Sequence, residues 1–232
     1  QGDVVITPTE YSRELLMKYD LHREIYALTN GVDTEFFHKT EQAGGQFRVL
    51  FHIPVDKKVV ISAGHLIRRK GILDFLETAR RMPDVLFLWF GGGNHALIPE
   101  EIKRAVAEKP ENVIFAGFVP SIILRDAYSG ADAFAFFSYE ETEGIVVLEA
   151  LSCEIPVIIR DIPVYDEWLE DGVQVRKATD PDSYEQALRE ILSGERQEEV
   201  LRRTRAGRAL AEEHSMKATG ERLYQIEQNL YQ

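Results

Sequence analysis

The sequence predicts an α/β fold built on a doubly wound parallel sheet of the Rossmann-like type. Apolar, β-rich runs alternate with helical patterns through most of the 232 residues. The runs are near-continuous hydrophobics, as in "KVVISAG" at 58–64, and strands buried on both faces of a parallel sheet require that pattern. Repeated strand–helix units of this kind place helices on both faces of the sheet.

The N-terminal residues predict a single strand–helix unit. "DVVIT" at 3–7 is typical of a strand, and the Pro-Thr pair after it marks the start of a helix. "TNGVDTEFF" at 29–37 contains an Asn-Gly turn signal, and the polar, glycine-containing "KTEQAGGQ" at 39–46 predicts a surface loop. The chain starts without Met and almost directly on a strand, so we expect it to be part of a longer protein.

The segment 46–232 predicts one Rossmann-like domain with C-terminal helices, and residues 1–45 predict the remnant of a preceding domain with an interdomain linker. Within the domain, strands are predicted at 58–64, 85–93, 112–118, 131–138, 156–161 and 173–177. Helical segments are predicted at 70–82, 99–109, 121–130, 144–153, 181–192, 197–213 and 215–231, with a short connecting segment around 165–169.

Composition and charge narrow the classes of function. Lys and Arg number 27 against 39 Asp and Glu, and the net charge of −12 disfavours nucleic acid as a partner. Cys153 is the only cysteine in the sequence, which excludes structural disulfides and thiolate-rich metal sites and favours a reducing cytosol. The sequence has neither a signal-peptide pattern nor an apolar run of the roughly 20 residues that span a bilayer. We therefore expect a cytoplasmic protein.

The stretch "EETEGIVVLEAL" at 140–151 lies where ligands bind in such a sheet, beyond the carboxyl end of a strand. Gly144 precedes a helix whose free N–H groups and dipole can hold an anion such as phosphate. The alternative is structural, because acidic residues favour a helix start and Ser-x-x-Glu spells a capping box. That alternative explains the glutamates before Gly144 but not Glu149, which interrupts a buried apolar pattern. On these residues alone both interpretations stay open.

A second candidate is "SAGHLIRRKG" at 62–71. Gly64 ends a buried strand, and Arg68, Arg69 and Lys70 come directly before the next helix. Cations at such a turn suit a diphosphate, and in a chain this acidic they favour that interpretation over a solvated basic loop.

Three other patterns predict structure rather than chemistry. "GGGNH" at 91–95 lacks the G-x-G-x-x-G spacing of a dinucleotide site and predicts a loop. Asp180 followed by Pro181 is typical of a helix N-cap and first helical residue rather than of a metal site. The six histidines have no paired spacing, and no G-x-S-x-G elbow exists, so neither a metal site nor a serine hydrolase is predicted.

Taken together, these residues resemble the retaining group 1 glycosyltransferases of the GT-B fold. The most specific feature is the Glu-x7-Glu block from Glu141 to Glu149 within "EETEGIVVLEALSCEIPVI". The other matching stretches, in order, are "TNGVDTEFF", "SAGHLIRRKGILDFLETA", "NVIFAGFVP", "AYSGADAFAFFSYEETEG" and "PVYDEWLEDG". The likeness covers nearly the whole chain, and "SYEETEGIVVLEAL" is most similar to bacterial diacylglycerol glucosyltransferases, which make glucolipids.

The resemblance implies the C-terminal half of a two-domain enzyme. In this family that half binds a nucleotide sugar, and the N-terminal domain binds the acceptor across a cleft. The resemblance implies transfer of glucose from UDP-glucose to diacylglycerol, with no metal or other cofactor. It also implies that this chain alone binds the donor without turnover, and that the acceptor domain touches the inner face of the membrane. A non-catalytic nucleotide-sugar-binding module and a sugar-nucleotide epimerase of the same fold stay open as alternatives.

The resemblance also assigns roles to residues. Lys70 would neutralise the diphosphate, Glu149 would accept the ribose hydroxyls, and Glu141, the implied catalytic residue, would hold the donor sugar near the reacting carbon. The remaining donor-binding positions are His65 and Arg69 beside Lys70, Phe118 and Val119 against the base, and Gly144, Ile145 and Val146, whose N–H groups would hold the distal phosphate.

Two positions depart from the family pattern. His65 stands where many relatives have Arg, so Arg68 or Arg69 would have to supply that charge. Glu143 stands where an aromatic or small residue is usual, and a third acid beside a diphosphate is electrostatically unfavourable. A contact with a sugar hydroxyl is one interpretation of Glu143.

The net charge of −12 would repel an anionic membrane, so we expect clustered Lys and Arg in the acceptor domain.

Overall fold

The computed structural model describes residues 4–93 and 95–230. Across these residues the strands are β1 Val4–Thr7, β2 Glu24–Ala27, β3 Val59–Ala63, β4 Leu86–Phe90, β5 Val113–Gly117, β6 Ala133–Phe136, β7 Val157–Arg160 and β8 Arg176–Ala178. The α-helices are α1 Glu10–Met17, α2 Glu41–Leu50, α3 Ile72–Arg81, α4 Glu100–Ala107, α5 Ser121–Gly130, α6 Ile145–Ser152, α7 Pro181–Leu192, α8 Gln197–Glu213 and α9 Met216–Leu230.

The large sheet confirms the predicted doubly wound fold. Its six strands are parallel and lie in the order β5-β4-β3-β6-β7-β8. The chain builds outward from β3 to β5 and then returns to place β6 on the other side of β3, so the strand order reverses there. Open α/β sheets bind ligands at this switch point, outside the carboxyl ends of the strands.

Both faces of the large sheet are buried, which is why its strands are continuously apolar. Along β3, Ile61 packs into one core with Phe90 and Leu148, while Val60 packs into the opposite core with Phe75. A strand with one polar face would leave one of these helical layers without an apolar partner.

The predicted surface loop at 39–46 is wrong from Glu41 onward. Helix α2 begins at Glu41, and the Thr40 hydroxyl caps it by accepting a hydrogen bond of 3.1 Å from the Ala43 N–H. Gly44 faces α5 so closely that a Cβ there would lie 2.8 Å from the Ser129 carbonyl oxygen. The glycine therefore permits close helix packing instead of marking a loop. The division of the chain at residue 45 stays a prediction.

The predicted N-terminal unit is present. β1 and β2 form a separate parallel pair, and the predicted strand at 3–7 is seen from Val4 onward, since residue 3 lies outside the described residues. Thr9 caps α1, where its hydroxyl accepts a 3.2 Å bond from the Ser12 N–H. The same hydroxyl donates to the Thr142 carbonyl oxygen at 2.9 Å, so this unit touches the loop that leads to α6.

The other predicted features can be located as well. Asp180 is the N-cap of α7, as predicted, and accepts a 2.9 Å bond from the Ser183 N–H. The predicted glycine loop follows β4, although residue 94 is outside the described part of the chain. Within that part, no helix is long and apolar enough to cross a membrane, and no cluster of three or more His, Cys, Asp or Glu could hold a metal ion.

Candidate functional site

A pocket of about 260 Å³ lies at the switch point, beyond the carboxyl ends of β3, β4 and β6. Its lining residues are Ala63, Gly64, His65, Lys70, Phe90, Gly91, Phe118, Val119, Leu124, Phe136 and Val146. The sequence predicted five of them as donor-binding residues: His65, Lys70, Phe118, Val119 and Val146. The fold therefore brings together turns that are far apart in the sequence.

Lys70 is the cation of this pocket. Its Nζ donates a hydrogen bond to the carboxylate of Glu141, and the two side chains are 12% and 9% exposed. The ammonium also lies 5.4 Å from the centroid of the Phe136 ring. A largely desolvated ammonium needs a counter-ion, and Glu141 supplies it here. An incoming diphosphate would compete for the same ammonium and leave Glu141 facing the ligand.

The backbone around Lys70 is fixed by close packing. A short 3₁₀ turn, Arg68–Lys70, ends at Gly71, whose φ is 73°. A Cβ at Gly71 would lie 2.1 Å from the Phe137 carbonyl oxygen, so only glycine lets this turn sit against the end of β6. The Arg69 carbonyl accepts bonds from the Tyr139 N–H at 2.7 Å and the Ser138 hydroxyl at 3.2 Å. The loops that carry Lys70 and Glu141 are thus bonded to each other.

Arg68 and Arg69, the other two cations of this turn, do not line the switch-point pocket. Arg69 donates to the Glu140 carbonyl oxygen at 3.1 Å and lines a separate cavity of about 460 Å³ with Tyr139. Arg68 pairs with Glu101 and is 71% exposed. The sequence could not separate the three because their directions depend on the 3₁₀ turn.

The structural alternative for the acidic loop is wrong in one respect. The Ser138 hydroxyl donates to the carbonyls of Arg69 and Glu140 at 3.2 and 3.1 Å. The N-cap of α6 is Gly144, so Ser138 and Glu141 do not form a capping box on this helix. The acidic side chain of Glu141 is instead directed to Lys70.

Gly144 opens α6 in the left-handed conformation, with φ of 83°. The N–H groups of Ile145 and Val146 in the first turn have no acceptor within the helix and can bind an anion, whereas the Val147 N–H donates to the Gly144 carbonyl oxygen at 2.8 Å. Behind them is Tyr165, whose buried hydroxyl has no hydrogen-bond partner among the described residues. A Cβ at Gly144 would lie 2.5 Å from that hydroxyl.

Gly144→Ala is expected to cost more than 2 kcal/mol in the free energy of unfolding, because backbone strain and a steric clash add. Gly172→Ala is the matched control. Its φ is 79°, and a Cβ there would meet nothing within 4 Å, so strain alone of about 1 kcal/mol is expected. Adding Tyr165→Phe to Gly144→Ala should recover the difference. Denaturant unfolding measures all three, and equal losses for the two alanines would contradict the clash.

Glu149 has the partner that a buried carboxylate needs. The Tyr128 hydroxyl lies 3.3 Å from its Oε2 and 3.2 Å from the Val146 carbonyl oxygen. Burial raises the pKa of Glu149 from 4.5 to about 7. Burial, and then the charge of Glu149, raises the pKa of the nearby Cys153 thiol to about 12, so this thiol stays protonated. Near neutral pH the Glu149 carboxyl therefore exists in both forms.

The mouth of the pocket is aromatic. Phe118 is 71% exposed and meets the His65 ring edge to face, with centroids 5.8 Å apart. His65 Nδ1 lies 3.2 Å from the Gly92 carbonyl oxygen, which holds the imidazole in place. An exposed ring at a pocket mouth can stack on a planar group such as a nucleobase.

Glu143 lies outside this pocket. Its side chain is buried, and its carboxylate accepts hydrogen bonds from Thr29 and Asn30 of the N-terminal segment. Sequence reasoning missed this arrangement, together with the supporting roles of Tyr128 and Tyr165. The position of Glu143 in the sequence could have indicated it, because an acidic side chain next to an expected anion site needs a hydrogen-bond partner of its own.

Known proteins resemble the chain in sequence and in structure. A family model described as "Glycosyl transferases group 1" matches residues 47–209. The processive diacylglycerol alpha-glucosyltransferase of Acholeplasma laidlawii is 38% identical over 230 residues, which cover 99% of this chain and 68% of that protein.

Two solved structures share the fold. Sucrose-phosphate synthase from Thermosynechococcus elongatus has a TM-score of 0.87 at 21% identity, over 100% of this chain and 59% of that one. HepE from Anabaena, in complex with UDP and glucose, has a TM-score of 0.85 at 17% identity, over 98% of this chain and 64% of that one. The chain thus spans 59 to 68% of the length of these three proteins.

Proposed function

The chain belongs to the group 1 glycosyl transferases, with the GT-B fold, and from that premise we propose that it is the donor-binding half of a retaining enzyme. The donor would be UDP-glucose, the transferred group glucose, and the acceptor a membrane lipid such as diacylglycerol. The observation that carries this proposal is the Lys70–Glu141 pair at the switch-point pocket, beside the N-terminus of α6.

The residues have complementary tasks in this reaction. When the anomeric bond breaks, negative charge develops on the departing diphosphate, where Lys70 and the helix dipole are already in place to stabilise it. The carboxylate of Glu141 would face the sugar and favour its oxocarbenium-like character. Because these groups supply the positive charge, the proposal includes no metal or other cofactor.

The substrate assignments have separate support. The Acholeplasma relative is named for a diacylglycerol acceptor and for glucose transfer, and the HepE structure was solved with UDP and glucose. In this chain, the ring of Phe118 at the pocket mouth suits a base, and Glu149 in the second turn of α6 suits the ribose hydroxyls. The acceptor and any membrane contact would belong to a domain that this chain does not contain.

Calorimetric titration of the 232-residue chain with UDP, UMP, GDP and ADP tests the donor role. UDP should bind at least tenfold more tightly than UMP, because the distal phosphate meets both Lys70 and α6. GDP and ADP should bind more weakly than UDP. Equal affinity for UDP and UMP would contradict the phosphate site, and stronger binding of ADP or GDP would reassign the nucleotide.

Turnover is a separate measurement. The chain mixed with UDP-[14C]glucose and diacylglycerol vesicles should release no labelled lipid above background, since the acceptor is proposed to bind a domain outside these 232 residues. Robust transfer by the chain alone would contradict its assignment as one half of the enzyme.

A further inference from the structure

Glu143 is a buried carboxylate that the proposed reaction does not use. The residue is 3% exposed, and among the described residues the hydrogen bonds to its carboxylate all come from the N-terminal segment. The Thr29 hydroxyl donates to Oε1, and the Asn30 side-chain amide donates to Oε2 at 2.6 Å. The Asn30 backbone N–H lies 3.3 Å from both oxygens. Hydrogen bonds to an ionised acceptor are roughly twice as strong as neutral ones.

The Thr29–Asn30 turn is itself held firmly. Gly31 has φ of 79°, and a Cβ there would lie 2.9 Å from the Met216 Cα, so the turn sits against the start of α9. The next residue, Val32, exchanges backbone hydrogen bonds of 2.9 Å with His214 and Met216. The carboxylate of Glu143 is therefore bonded to a segment that the junction of α8 and α9 already fixes.

The neighbouring residue of the loop has a second attachment. The Thr142 carbonyl oxygen accepts hydrogen bonds from the Thr9 hydroxyl at 2.9 Å and the Ser12 hydroxyl at 3.2 Å. Thr142 and Glu143 thus contact the N-terminal segment, while Glu141 before them and Gly144 after them serve the pocket. The two attached residues therefore lie directly between the two residues proposed to act on the ligand.

We propose that Glu143 is a positioning residue that clamps the donor-site loop to the interdomain linker and so sets the places of Glu141 and Gly144. The proposal rests on the proposed function, because it gives those two residues the sugar and the phosphate as ligands. A carboxylate suits this task because it only accepts hydrogen bonds, and the hydroxyl of Thr29 and the amides of Asn30 donate to it. A direct contact of Glu143 with the sugar would require these buried bonds to break.

Glu143→Gln tests the clamp with little change of shape, because it places an amide N–H₂ against one of the donors. Titration with UDP-glucose should show about tenfold weaker binding, since each lost charge-assisted bond loosens the loop. Glu140→Gln is the matched control, because it makes the same charge change on an exposed side chain of the same loop. Its affinity for UDP-glucose should stay within about twofold of the wild type. Equal effects of the two variants would overturn the clamp.

A double-mutant cycle separates positioning from direct contact. Asn30 is exposed and lies in the linker, so Asn30→Ala should fold, and its binding defect should be absent once Glu143→Gln is present. If Glu143 touched the sugar itself, Asn30→Ala would leave UDP-glucose affinity unchanged. That outcome overturns the proposal.

Hydrogen exchange of the ligand-free chain tests the Glu143 clamp separately from the proposed donor-binding function. Amides of residues 140–146 should exchange about tenfold faster in Glu143→Gln and in Asn30→Ala than in Glu140→Gln. Unchanged exchange would overturn the clamp even if UDP binds normally. Faster exchange in a chain whose wild type binds no UDP would support the clamp and reject the donor role.

Discussion

Lys70→Ala is expected to weaken the binding of UDP by about 100-fold. The ammonium is the cation that lines the switch-point pocket, and its removal leaves the carboxylate of Glu141, which is 9% exposed, facing the diphosphate without a counter-ion. Removing one partner of a buried charged pair typically costs about 2–5 kcal/mol in binding. Calorimetry with UDP at fixed ionic strength measures the loss.

Lys58→Ala is the matched control for this experiment. Lys58 precedes the same strand, β3, at its opposite end, where its ammonium pairs with Asp132 and is 52% exposed. Both substitutions remove one positive charge, so both weaken the long-range attraction of the protein for an anionic ligand. For Lys58→Ala we expect the affinity for UDP to fall by less than about threefold. Comparable losses from both variants would mean that net charge, rather than the pocket, governs binding.

The origin of the Lys70 effect can be tested further. Part of the loss should come from the unpaired Glu141, so Lys70→Ala combined with Glu141→Gln should bind UDP more tightly than Lys70→Ala alone. UDP lacks the transferred glucose, so the role proposed for Glu141 in the reaction does not enter this comparison. A double variant that binds more weakly still would indicate that Glu141 contributes favourably to nucleotide binding.

The general fold could be predicted because its determinants are local. A strand such as Val59–Ala63 is buried along its whole length, and its apolar composition is enough to predict that burial. Helix α2 could not be predicted in the same way. Its Gly44 and Gly45 read as loop residues, and only the approach of α5, about 85 residues further along, explains why a small residue is needed.

The candidate site was predictable in its location but not in its bonding. The rule that ligands bind at the carboxyl edge of the sheet brought Lys70 and Glu141 together, although they are 71 residues apart. The rule gives no side-chain directions, so it could not separate Lys70 from Arg69. Glu143 lies 114 residues from Thr29, and no local pattern reports a contact at that distance.

Glu149→Gln is expected to stabilise the folded chain at pH 8 while it weakens nucleotide binding. Burial raises the pKa of Glu149 from 4.5 to about 7, so between these values the folded state holds a proton that the unfolded state has released. The stability of the wild type should therefore fall as pH rises from 4.5 to 7 and level off above 7, a loss on the order of 3 kcal/mol at most. Glutamine carries no charge to desolvate, so its curve should lack this fall.

Urea unfolding at pH 5 and pH 8 measures this difference, with Glu213→Gln on the exposed surface of α8 as the control.

The affinity for UDP should change with pH in the direction opposite to the stability. The ionised carboxylate accepts hydrogen bonds from ribose hydroxyls better than the protonated one does, so the affinity of the wild type for UDP should rise between pH 6 and 8. The affinity of Glu149→Gln should be lower at pH 8 and nearly independent of pH. A parallel rise in both proteins would mean that the phosphate, which also ionises in this range, governs the pH dependence. The opposed trends in stability and affinity together would show that Glu149 is kept in an apolar position for its ligand, at a cost to the fold.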